Sequence, residues 1–106
     1  LKLHLAEPVE DYIVQLVVAT RNASEYDETL GALIEFGASP RGTIGLERCA
    51  RAHAWLQGKD FVSPDDVRAV AHDVLSHRII LSFEAEANGV DSKQVIDRLL
   101  ASVPVA

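Results

Sequence analysis

Three arginines in one short span could hold an anion. Arg41 follows Ser39 and Pro40 in the stretch GASPRG at 37 to 42, Arg48 lies seven residues on, and Arg51 three beyond that. On a helix this spacing sets Arg41 and Arg48 nearly in register, with Arg51 adjacent to Arg48. Guanidinium groups take phosphate or carboxylate through two parallel hydrogen bonds. Arg41 has a further claim. With Ser39 as N-cap and Pro40 at the first helical position, it falls in the first turn, where amides and the helix dipole favour an anion. The other reading is the solvated face of a helix, balanced by Glu47. Spacing alone permits both.

Other chemistries lack their residues. GASPRG has two glycines but not the lysine followed by Ser or Thr that a phosphate loop requires, so the chain alone is not expected to hydrolyse a nucleotide. Of His4, His53, His72 and His77, no two stand three or four apart, and none belongs to an HExxH pattern. No metal site is expected. His53 reads as a hydrogen-bonded core or boundary residue, and Cys49, between Leu46 and Ala50, as a buried small hydrophobe. No nucleophile motif supports Ser-His-Asp catalysis.

The chain has 106 residues, of which 48% are hydrophobic and 25% charged, the make-up of one globular domain, here 1–106. Ten Lys and Arg against sixteen Asp and Glu give a formal net charge of −6. That charge opposes non-specific binding to nucleic acid or anionic lipid. A single cysteine allows no internal disulfide or zinc pattern and fits a reducing, cytoplasmic setting. No apolar run approaches a membrane span. The opening LKLHL, without methionine, suggests a fragment of a longer protein.

The elements that must position the arginines are mostly helical, and the expected fold class is mainly all-α: about four helices in a small bundle, with minor short strands. Val9, Tyr12, Ile13, Leu16, Val17 and Thr20 have helical spacing, with Pro8 in the first turn. Residues 22–32 read as a loop. The second helix is expected from Ser39 and Pro40 to about Gly58, with Leu46, Cys49, Ala50, His53 and Leu56 inward. A third begins at Ser63 and Pro64, with Asp65 and Asp66 against its positive end and Val67, Val70, Ala71, Val74 and Leu75 inward. RIILSF at 78 to 83 alternates like a short strand that could pair with residues 60 to 62. Asp91 and Gln94 form a capping box ahead of a last helix with Val95, Ile96, Leu99 and Leu100 inward.

Taken in order, YIVQLVVATR at 12 to 21, GASPR at 37 to 41, GKDFVSPDDV at 58 to 67 and VLSHRI at 74 to 79 resemble the C-terminal helical lid of MoxR-type AAA+ ATPases. The resemblance covers about residues 3 to 100. It implies an upstream α/β core carrying the phosphate loop and the magnesium-binding acids, with ATP bound between core and lid. By resemblance Arg41 is the sensor-2 residue that points at the γ-phosphate, while Ser39 and Pro40 shape the nucleotide-facing turn. ATP and Mg are then cofactors of the full-length protein, and the isolated chain is expected to be a monomer that holds neither. The resemblance further implies a hexameric ring with neighbouring subunits and chaperone-like remodelling of partners, among them proteins with von Willebrand factor A domains.

Gly42 stands where the family usually has alanine, and Lys59 where it often has arginine. For Arg21 a favourable position at a helix C-terminus is sufficient explanation; His77 and Arg78 could serve packing or a subunit contact. The competing function is a free-standing DNA- or protein-binding module. A recognition helix over 64 to 75 would carry Asp65, Asp66 and Asp73 against Arg68 alone, a poor match to a phosphate backbone.

Overall fold

The computed structural model describes residues 4–105, so residues 1–3 and 106 of the expected domain lie outside the described residues. The order is α1 (Glu7–Arg21), a 3-10 turn (Ala23–Glu25), α2 (Glu28–Leu33), β1 (Ile34–Phe36), α3 (Arg41–Leu56), α4 (Pro64–Leu75), β2 (Ile80–Leu81), α5 (Phe83–Ala87) and α6 (Ser92–Ser102). The mainly helical class stands, with two short helices beyond the expected four. Among the described residues no helix is long and apolar enough to cross a membrane.

The apolar spacing of α1 buries Val9, Tyr12, Ile13, Leu16, Val17 and Thr20 as expected. The expected capping box of Asp91 with Gln94 forms at α6, and at α4 Asp66 reaches back to accept from the Ser63 amide. The α6 box satisfies two amides that a helix start would otherwise leave unpaired. Val95, Ile96, Leu99 and Leu100 of α6 close the core against α1 and α4.

Four expectations need correction. The stretch 22–32 is not a loop: Asp27 accepts from the Thr29 and Leu30 amides and starts α2, which buries Leu30 and Leu33. The strand pairs elsewhere too. Ile80–Leu81 runs antiparallel to Ile34–Phe36, with Ile34 opposite Leu81 and Phe36 opposite Ile80, whereas Phe61 bridges His4. The alternation stops at Phe83, which opens α5 and is 85% exposed, because the Ser82 hydroxyl accepts from the Ala85 amide and turns the chain into a helix.

The third correction concerns the inward face of α3, which is Gly42, Leu46, Ala50 and Ala54 rather than a stripe including Cys49 and Leu56. Cys49 is exposed, and Leu56 is 73% exposed. The cause is close packing on α4, because helices with small residues at their contact approach more nearly. A methyl placed on Gly45 would already lie 3.2 Å from Val74 Cγ1. Small residues dominate the inward face beside Leu46, and Cys49 and Leu56 lie outside it. The fourth correction is the start of this helix: Pro40 occupies the N-cap position, and the Ser39 side chain makes no capping hydrogen bond.

Candidate functional site

The turn that launches α3 is built from its neighbours. The Thr20 hydroxyl, buried at the end of α1, donates to the Val17 carbonyl at 2.6 Å and accepts from the Ala38 amide at 2.8 Å. One side chain therefore joins the end of α1 to the GASPR turn, eighteen residues away. Gly37 makes this approach possible. A Cβ there would fall 2.4 Å from the Thr20 carbonyl oxygen and 2.7 Å from the Arg21 nitrogen, distances no side chain can take. Ala38 is fully buried beneath the turn. Neither the Thr20 bond nor the Gly37 contact was legible from spacing, because both join segments that are far apart in sequence.

Within the turn the Gly42 amide donates to the Ser39 carbonyl at 2.8 Å, and the Thr43 amide to the Pro40 carbonyl at 3.1 Å. Two of the amides that a helix start could offer an anion are thus already used. What this end of α3 presents is chiefly the Arg41 side chain, exposed and without a hydrogen-bond partner among the described residues.

The structure separates the residues singled out in the sequence. Ser39 and Pro40 line a shallow groove with Arg21, Glu35, Phe36, Gly37 and Ala38. Arg41 instead lines a second open groove, about 500 Å³ in volume, with Ile44, Gly45, Arg48 and Arg78. Arg48 therefore joins Arg41 as its spacing foretold. Arg51 does not, since it pairs with Glu47 one turn earlier on α3. Arg78 enters from the turn after α4. Its chain passes over the start of α3, with Cδ 3.6 Å from where a Cβ of Gly42 would sit and Nη2 3.4 Å from that of Gly45. Among the described residues Arg41, Arg48 and Arg78 form no ion pair.

A different polar cluster ties the end of α3 to the start of α4. Asp66, only 2% exposed, accepts from Lys59 Nζ at 2.6 Å, from the Ser63 amide at 2.8 Å and from the Ser63 hydroxyl at 3.0 Å, while its other oxygen meets His53 Nδ1 at 2.8 Å. Burial alone would raise the Asp66 carboxyl. The hydrogen bonds from Lys59, the Ser63 amide, His53 and the Ser63 hydroxyl outweigh it and hold the group at about 2. His53 is thus the boundary residue expected, and Lys59 has a structural task that an ammonium fulfils well. Among the described residues no three metal-ligating side chains converge.

On α4, Arg68 donates to Tyr12 Oη at 3.3 Å and to the Leu100 carbonyl at 3.1 Å. That helix spends its one full cation on the protein interior, which leaves nothing on it to track a phosphate backbone.

The AAA lid domain family model matches residues 30–99. Chaperone MoxR1 of Mycobacterium tuberculosis is 39% identical over 94 residues, which are 88% of this chain and 25% of that protein. Protein MoxR of Paracoccus denitrificans is 40% identical over 109 residues, with 96% of this chain and 32% of that protein covered. The crystal structure of a candidate ATPase from Cytophaga hutchinsonii superposes with a TM-score of 0.94 at 43% identity, over 99% of this chain and 32% of that one. The chain spans a quarter to a third of the length of these relatives.

Proposed function

Because this chain belongs to the AAA lid domain family, in its MoxR-type branch, we propose that it forms the helical half of an ATP site, with Arg41 as the sensor-2 guanidinium that meets the γ-phosphate. The observation that carries this reading is the groove at the start of α3, where Arg41, Arg48 and Arg78 line one opening and no carboxylate does. Such a donor set fits a polyphosphate and not a metal ion. Magnesium would be held by acidic residues of an α/β core outside this chain. Buried Thr20 fixes the turn, so the backbone beneath Arg41 is set before a nucleotide arrives and less ordering is lost on binding.

On this reading the full-length protein is a cytoplasmic ATPase whose copies assemble into a hexameric ring. It performs chaperone-like remodelling of partner proteins, those with von Willebrand factor A domains among them. The free-standing DNA-binding alternative finds no support in α4, whose Arg68 is turned inward.

The reading is tested by nucleotide discrimination in the full-length protein. Arg41→Ala should weaken binding of a non-hydrolysable ATP analogue by about five-fold or more and leave ADP affinity within about two-fold, since one charge-assisted contact to the terminal phosphate is removed. Titrations in which both nucleotides bind the variant and the parent alike would refute it.

A further inference from the structure

We infer that Arg78 is a second nucleotide-binding residue, a guanidinium that meets the polyphosphate of a nucleoside triphosphate in the groove it shares with Arg41; this rests on the reading of Arg41 given above. The two arginines come from different elements, one from the first turn of α3 and the other from the turn after α4. They nevertheless line one groove, together with Arg48.

Arg78 lies alongside two glycines at the start of α3. Its Cδ lies 3.6 Å from where a Cβ on Gly42 would be, and its Nη2 and Nε lie 3.4 and 3.6 Å from that of Gly45. Gly42 and Gly45 fall within the first five residues of α3; a Cβ there would meet Ala38 at 3.3 Å and Val74 at 3.2 Å most closely, with the stem and head of Arg78 in ordinary van der Waals contact beside them.

Electrostatics point the same way. Three cations around one opening repel one another unless a counter-charge is present. The chain has a net charge of −6, so carboxylates are plentiful, yet among the described residues none pairs with these three. Asp73 borders the adjoining groove with Arg78 and forms no ion pair with it. An anion from outside the chain would relieve that repulsion. A triphosphate supplies several negative oxygens in a small space, and guanidinium groups from two sides can each engage it bidentately.

The test uses the full-length ATPase, with Arg78→Met, which keeps the stem over the glycines but removes the charge, and Arg78→Lys, which keeps the charge but not the planar fork. Affinity for a non-hydrolysable ATP analogue, thermal midpoint and oligomeric state are measured for each beside Arg41→Ala. Arg78→Met should bind the analogue about five-fold more weakly at an unchanged midpoint, and Arg78→Lys should recover part of the loss. If Arg78→Met binds as the parent does while Arg41→Ala is weakened, the inference fails and the Arg41 reading survives. If neither variant is weakened, both fail. If Arg78→Met and Arg78→Lys impair only assembly, and assembled protein binds the analogue normally, Arg78 is a subunit contact and the inference is overturned.

Discussion

Arg41→Ala in the full-length protein is expected, on the proposed sensor-2 role, to lower ATP turnover by about ten-fold or more, equivalent to roughly 1.4 kcal/mol or above, because a guanidinium aimed at a transferring phosphoryl group would stabilise charge that grows in the transition state. Folding should scarcely change. Arg41 is exposed, lies outside the buried face of α3 and holds no hydrogen bond that its loss would leave open. Arg41→Lys should restore turnover only in part, since an ammonium has the charge without the fork. Arg21→Ala serves as control: Arg21 is equally exposed but lines the other groove, with Ser39 and Pro40. Turnover and thermal midpoint measured together for the three variants decide the matter. Equal losses for Arg41→Ala and Arg21→Ala would reduce the effect to one of general surface charge.

The second large effect is on stability. Asp66→Asn should destabilise the 106-residue chain by about 2 kcal/mol at neutral pH, a fall of roughly 10 °C in thermal midpoint, because the carboxylate held at about 2 against an ordinary 3.8 has no substitute for its contact with Lys59. The pH dependence has a definite sign. A carboxyl whose folded value is lowered contributes fully above its unfolded value and loses that contribution as the pH falls through the folded one. The gap between parent and variant should therefore be complete above about pH 5 and shrink from pH 4 toward pH 2. Denaturant titrations at neutral pH and near pH 3 would measure it. A gap that stays constant across that range would contradict the assigned role of Asp66.

Local patterns were legible and long-range ones were not. The six inward positions of α1 and the capping box of Asp91 with Gln94 depend on residues within a few turns of one another, so periodicity and cap chemistry are sufficient to find them. The Arg41 and Arg48 pairing is likewise a matter of helix spacing. The β1–β2 pair joins segments more than forty residues apart, and Ile34–Phe36 is too short to announce itself beside a polar stretch. The inner face of α3 is rotated away from Cys49, because a stripe of apolar spacing does not count the glycines at the contact with α4. Against α4 the smallest residues make the closest contact. Asp66 was read as a partner of the helix dipole. Its bonds to Lys59 and His53 require α3 and α4 to be packed already. Arg78 is the same case at the site itself, a cation with no local pattern that the α3–α4 packing delivers to the Arg41 groove.

The most direct measurement is the reaction of Arg41 with an arginine-selective dicarbonyl reagent in the full-length protein, followed residue by residue by mass spectrometry. Arg41 and Arg21 are both exposed and both free of ion pairs among the described residues, so each should react readily without nucleotide. A non-hydrolysable ATP analogue at roughly ten times its Kd should slow modification of Arg41 about ten-fold, the limit set by occupancy. ADP should protect it far less, and Arg21 should react at one rate throughout. Modification of Arg41 at the nucleotide-free rate in the presence of saturating ATP analogue would contradict its contact with the terminal phosphate.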